Sequence, residues 1–247
     1  MKLSVNLNKI ALLRNARGEN YPELSYFANK AIDLGVNGLT LHPRPDHRHA
    51  TSDDVIEISK LCKERGVEFN IEGNPFSKPN NDFKGFCELV DIIKPDQVTL
   101  VPDEINQITS DHGWHSGPHD QKLINTIELI RSSSNKSKIS LFIDDMKGIE
   151  YASKLNVDLI EIHTGQFAKS ISNNDESIIS NIQELVDSAS NHNLLINAGH
   201  DLNLNNLHYL VKIGNINEVS IGHAIIVDSI LYGYEAAILK YLEVIKN

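Results

Sequence analysis

Along the 247-residue chain, short apolar runs recur, each followed by a polar stretch and then by apolar positions spaced three and four apart. The runs cover residues 3–7, 38–41, 67–71, 97–101, 139–143, 159–162, 194–197 and 218–221. Each reads as a strand, and the segments between them carry helical spacing. After the second run, Val55, Ile58, Leu61, Cys62 and Arg65 fall on one stripe, with Thr51 and Asp54 placed as a capping box. Between the sixth and seventh runs, Ile178, Ile182, Leu185 and Ala189 repeat in the same way. The last segment places Leu231, Tyr234, Ile238, Leu242 and Ile245 on one face. Eight strands alternating with helices predict parallel βαβ units, and eight is the number that closes a barrel. The predicted fold class is α/β, a single (β/α)8 TIM barrel over residues 1–247 with its active site at the C-terminal ends of the strands. A doubly wound open sheet is the runner-up. It calls for a glycine-rich turn after the first strand, which residues 6–17 lack.

Composition narrows the partners. A formal net charge of −10 argues against a nucleic-acid partner and against an anionic membrane. Residues 1–13 are interrupted by Asn6, Asn8 and Lys9, so they lack a signal-peptide core. Cys62 and Cys87 both sit in helical patterns and make no paired framework. A cytoplasmic protein without a membrane span is expected.

Chemistry collects at one end of the strands. The C-terminal ends run into Asn6 and Asn8, His42, Glu72, Asp144 and Asp145, Glu161 and His163, Asn197, His200 and Asp201, and Gly222 and His223. The opposite ends, with Ser4, Gly38, Glu68 and Leu194, show no comparable set. This asymmetry points to an enzyme. After the second strand, Pro43 and Pro45 stiffen a loop that carries His42, Arg44, Asp46, His47, Arg48 and His49, a composition suited to holding an anion and moving protons.

Other candidates have two readings each. Glu72 and Glu161 are either general bases in a barrel mouth or partners in ion pairs, Glu72 with an arginine and Glu161 with His200 or His42. Gly222 either lets backbone donors approach an anion at a helix start or makes a tight turn. Arg14 and Arg17 are either a second anion site or surface charges. Lys9 is the one lysine at a strand end, which weakens a Schiff-base mechanism. The long polar loop 103–121, with His112, Trp114, His115 and His119, is expected to act as a lid.

Taken together, VNLNKIALLRNARG at residues 5–18, HPRPDHRH, NIEGNP, VTLVPDE, SLFIDD, IEIHTG, INAGHDLNL and VSIGHAII resemble the pyridoxine 5'-phosphate synthase family along nearly the whole chain. The resemblance implies condensation of 1-deoxy-D-xylulose 5-phosphate with 3-amino-2-oxopropyl phosphate, with no metal and no cofactor. It implies catalytic roles for His42 and Glu72 as bases, for His200 as proton donor and for Glu161. It assigns Arg44, His49 and Thr109 to the sugar phosphate, and Asn6, Arg17, Gly222 and His223 to the aminoketone phosphate. It also implies a homo-oligomer, typically an octamer. Three positions depart from the family pattern. Asn8 and Lys9 stand where many members carry Asp-His, and Asp201 stands where many carry glycine. All three remain candidate substrate-binding positions. The alternative is a metal-dependent barrel isomerase or hydrolase using Glu72, Asp144, Glu161, His163 and His200 as ligands.

Overall fold

Strands in an all-parallel sheet are covered on both faces, and a closed sheet leaves none of them an unpaired edge. The eight apolar runs meet this demand by closing on themselves in the computed structural model, which describes residues 1–104 and 107–246. Strands β1 (Lys2–Asn6), β2 (Gly38–Leu41), β3 (Glu68–Gly73), β4 (Gln97–Leu100), β5 (Lys138–Ile143), β6 (Leu159–His163), β7 (Leu195–Gly199) and β8 (Glu218–Ile221) pair in chain order, and β8 returns to β1. Every pairing is parallel. Three strands reach further at their C-terminal ends than their apolar runs. β3 continues to Gly73, opposite Leu100, β6 to His163, opposite Gly199, and β7 to Gly199, opposite His163 and Ser220. Backbone pairing with a neighbouring strand carries them through polar residues that periodicity does not mark. As a result Glu72 lies within a strand.

Eight helices follow the usual crossover pattern: α2 (Leu24–Asp33), α3 (Ser52–Arg65), α4 (Phe86–Ile93), α5 (Asp120–Ser133), α6 (Met146–Ala152), α8 (Ile178–Asn191), α9 (Leu207–Ile213) and α11 (Tyr234–Lys246). Three more begin two residues after a strand ends: α1 (Asn8–Asn15), α7 (Gly165–Ser172) and α10 (His223–Tyr232). Their starts therefore stand at the barrel mouth. Among the described residues no helix is long and apolar enough to cross a membrane.

Local chemistry sets the helix ends. The Thr51 side chain accepts the Asp54 N–H at 3.2 Å while the Asp54 carboxylate accepts the Thr51 N–H at 2.7 Å, the expected capping box. Of the α3 stripe, Val55, Ile58 and Cys62 are buried, but Arg65 is exposed and pairs with Asp33 at 2.6 Å. Ile178, Ile182, Leu185 and Ala189 form the buried face of α8 as expected. The final segment departs from its predicted single face. Gly233, at φ 82°, breaks it into α10 and α11, which leaves Leu231 71 % exposed. The inward face of α11 is Ala237, Ile238, Tyr241, Leu242 and Ile245. Cys62 and Cys87 are free thiols, and burial pushes Cys62 up to about 12.

The strands also bury polar side chains. Ser4, Thr40, Asn70, Gln97, Thr99, Ser140, Asn197 and Glu218 are all buried. Ser4 and Thr40 share a hydrogen bond of 2.7 Å; Asn197 donates to Gln97, Gln97 to Thr99 and Thr99 to Asn70 at 3.1–3.2 Å. Ser140 Oγ and one Glu218 oxygen have no partner. Burial, reinforced by Glu68, pushes the Glu218 carboxyl from 4.5 up to about 8. Between those values the folded protein holds a proton that the unfolded chain has released. Its contribution to stability is therefore complete below pH 4.5 and lost as pH rises toward 8, at about 1.4 kcal/mol per pH unit. Glu218→Gln should match the parent near pH 4.5 and exceed it increasingly toward pH 8 in thermal melts; a difference independent of pH would contradict a neutral buried carboxyl.

Candidate active site

The β2 strand delivers His42 to the barrel mouth, and the loop behind it is held from several sides. Arg44 O accepts the His47 N–H at 3.0 Å, closing a turn that places His47 at φ 53°. Asn15 at the end of α1 donates to the carbonyls of His47 and His49 at 3.1 and 2.8 Å. Asn8 Oδ1 accepts the His42 N–H at 3.0 Å, so this departure from the family pattern supports the loop backbone. Arg48 pairs with Asp46 and donates to the carbonyls of Gln107 and Ile108, tying this loop to loop 103–121.

At the centre lies a buried carboxylate that sequence reasoning assigned only to the start of the lid. Asp103, three residues beyond β4, stands 3.0 Å from His42 Nε2 and 2.7 Å from an Arg44 nitrogen. All three side chains are buried. Burial disfavours the Asp103 charge, but His42 and Arg44 outweigh it and hold the carboxyl well below its usual range. Burial likewise opposes protonation of His42, yet Asp103 and Glu72 raise its affinity for a proton. The VTLVPDE motif contains Asp103, but nothing in its spacing announces a contact with residues some sixty positions earlier.

The opposing wall is acidic. Glu72 Oε2 lies 3.7 Å from His42 Nδ1 and accepts a 3.4 Å hydrogen bond from Asn6 Nδ2. Among the described residues no arginine pairs with it, so its neighbours are a histidine and an amide. Glu161 is buried on β6, its Oε1 filling the space where a side chain on Gly199 would stand. Burial first, then Glu72 and Glu218, raise the Glu161 carboxyl well above its ordinary value. Among the described residues no hydrogen bond joins it to His200 or His42. His49 and His200 are both pushed down to about 3, chiefly by burial, so both rings are neutral near neutral pH. His49 Nδ1 and Arg44 Nε are buried without partners.

These groups border one cavity of about 440 Å³. Asn6, Asn8, Lys9, His42, Arg44, His49, Glu72, Thr109, Glu161, His200, Asp201, Gly222 and His223 all line it. Arg48, from the same loop as His42 and Arg44, lines it too, as does Ser110, which was not singled out from sequence. Gly222 N-caps α10 without a side-chain cap, leaving the first helical N–H groups available, and a side chain there would collide with Asn6. The helix start is thus open toward the cavity, and position 222 has no room for a side chain.

Neither arginine of the second anion reading lines the cavity. Arg17 is exposed beyond the end of α1 and does not line the cavity. Arg14 is buried and paired with Asp54, inside the α3 capping box, so its charge is spent joining two helices. The five residues suggested as metal ligands also fail to converge. Among the described residues the His/Asp group within ligand reach is His115, Asp144 and Asp145, and there the His115 ring lies between the carboxylates at 3.4 and 3.5 Å. Loop 103–121 is only partly lid-like. Trp114 is buried and donates to Leu100 O at 3.0 Å, and Gly113 donates to Asp144, whereas Ile108 and Thr109 overhang the cavity. Positions 105 and 106 of the expected lid lie outside the described residues.

Residues 3–247 match the family described as pyridoxal phosphate biosynthesis protein PdxJ. A pyridoxine 5'-phosphate synthase from Xanthomonas axonopodis pv. citri is 42% identical over 250 residues, covering 100% of this chain and 97% of that protein. One from Cytophaga hutchinsonii is 43% identical over 248 residues, covering 100% and 99%. Among solved structures, a mutant tryptophan synthase alpha-subunit from Pyrococcus furiosus superposes with a TM-score of 0.65 at 12% identity, covering 100% of this chain and 98% of that one. Thiamine phosphate pyrophosphorylase from the same organism gives 0.62 at 13%, covering 99% and 95%. At that identity these two speak for the barrel fold alone.

Asp103→Asn should lower the proton affinity of His42, read as a downward shift in its imidazole NMR titration, and cut turnover. An unmoved His42 titration would remove Asp103 as the group that holds the imidazolium.

Proposed function

Because this chain belongs to the PdxJ family of pyridoxal phosphate biosynthesis proteins, we propose that it joins 1-deoxy-D-xylulose 5-phosphate and 3-amino-2-oxopropyl phosphate into pyridoxine 5'-phosphate, releasing phosphate and water. The observation that carries this reading is a single cavity in which acid/base groups of different proton affinity lie between two sets of anion donors. Arg44, His49, Thr109 and Lys9 form one set and hold the sugar phosphate. The start of α10, with Gly222, His223 and the Asn6 amide, forms the other and holds the aminoketone phosphate. Arg17 stays outside the same chain's cavity.

The roles follow from proton affinity and position. The substrate amine attacks the substrate ketone, so no enzyme lysine is consumed. Glu72 and His42, 3.7 Å apart, remove protons, and Asp103 stabilises the imidazolium that results. Glu161, whose proton affinity burial raises, and His200, a neutral ring, deliver protons to departing hydroxyl groups. The proposal takes residues 1–247 as one domain working in the cytoplasm. It also takes the chain as a homo-oligomer, an octamer by family resemblance. α10 exposes Ile230 at 81 % and Leu231 at 71 %, and the adjoining α1 exposes Leu12 and Leu13, an apolar face suited to a second copy.

Mixing the two substrates with the protein should generate the absorbance of pyridoxine 5'-phosphate; no product would sink the reading. Glu72→Gln should keep its circular dichroism and lose roughly 10²–10⁴ in turnover, and His200→Asn should bind phosphorylated ligand without forming product. Wild-type rates in either would remove that role. Light scattering of Ile230→Glu with Leu231→Glu should show a smaller assembly than the parent, and an unchanged mass would clear this face of the contact.

A further inference from the structure

His200 borders two cavities. One is the substrate cavity; the other, about 650 Å³, lies beside α7 and shares His200, Asp201, Thr109 and Ser110 with the first. His163, the last residue of β6, faces this second cavity and does not line the first. The His163 and His200 rings meet edge to face with centroids 4.9 Å apart, and both pack on Phe142, at 5.4 and 5.0 Å. Among the described residues no hydrogen bond joins the two rings directly, and a water in the second cavity can bridge their nitrogens. The reaction makes the contact consequential. Burial keeps the His200 ring neutral near neutral pH, so it can release a proton from one nitrogen only if the other nitrogen receives one.

The surroundings of His163 supply what a donor needs. Burial, helped by His112, lowers its proton affinity below the ordinary histidine value, against the opposing pull of Asp144, Asp201 and Asp111; His200 and Lys169 border the same cavity. Gly165 at the start of α7 keeps the approach open. A side chain there would come within 2.8 Å of His163 Nε2 and 3.4 Å of Asp201 Oδ2. The Asp201 carboxylate and the His163 ring thus border the same space above Gly165. The Asp201 backbone stands at φ 58°, directly after His200 at φ 84°, and both residues line both cavities.

We propose that His163, backed by Asp201, is a positioning residue that returns protons to His200 from the second cavity while the first is filled with substrate. The step rests on the proposed reaction. A leaving hydroxyl takes a proton from one His200 nitrogen and departs as water. The other His200 nitrogen takes a proton from a bridging water, which takes one from His163, and solvent in the second cavity reprotonates His163. No electrons are exchanged.

The test uses the full-length protein and steady-state turnover of both substrates. His163→Phe keeps the ring packing on Phe142 and His200 but carries no nitrogen. It should lower kcat by on the order of 10-fold or more, less than loss of a group that acts on substrate directly, and leave both KM values unchanged. In His163→Ala, imidazole added to the buffer should restore turnover in proportion to its concentration. Asp201→Asn, at saturating substrates, should move the alkaline limb of kcat to lower pH. Wild-type kcat in His163→Phe, a loss in His163→Ala that imidazole does not relieve, or an unmoved pH profile in Asp201→Asn would each overturn the relay. A parent protein that forms no pyridoxine 5'-phosphate would instead remove the reaction itself, and the relay with it.

Discussion

Closure of the sheet, through the pairing of β8 with β1, is the constraint on which everything else in this molecule depends. A parallel strand must send its chain back outside the barrel before the next begins, so all C-terminal strand ends arrive at one mouth. Residues separated by more than a hundred positions then become neighbours, among them His42, Glu161 and His200 around a single cavity. Crowding so many ionisable groups into one partly dry space raises an electrostatic problem, because neither like charges nor lone charges are tolerated there.

The molecule resolves that problem by sorting protons. On one side the Asp103 carboxylate faces Arg44 and His42, which favour its charge as it favours a proton on His42, while burial works against the Arg44 charge. On the other side burial and then Glu72 raise the proton affinity of Glu161, which opposes a second negative charge there. His49 and His200 stay neutral because burial and neighbouring cations oppose their protonation. Within one cavity there are consequently groups ready to accept protons and groups ready to give them, which is what a sequence of eliminations and dehydrations requires. The same desolvation extends down the barrel. Its interior carries a ladder of amides and hydroxyls and ends at Glu218, whose proton affinity burial raises as it does for Glu161.

Features carried by short-range pattern were open to reading from sequence. The strands, the Thr51–Asp54 capping box and the inward face of α8 are local, since period and capping chemistry act within a few residues. The polarity asymmetry of the strand ends was also legible, because the barrel converts strand direction into a place in space. Residues whose role depends on a distant partner were not. Arg14 read either as an anion holder or as a surface charge, yet it is buried and neutralises Asp54, forty positions away. Leu231 fitted a helical stripe until Gly233 turned the chain and left it outside.

By itself the sequence determined the order and direction of the elements, and with them which end of the barrel carries chemistry, because hydrophobic periodicity and strand polarity are properties of local chain geometry. Only the tertiary structure decided how the charges are shared: that Asp103 serves His42 and Arg44, that Glu161 stands over Gly199, and that Arg17 lies away from the cavity. The physical reason is that proton affinity depends on burial and on the nearest charges, and neither quantity exists until the barrel has closed.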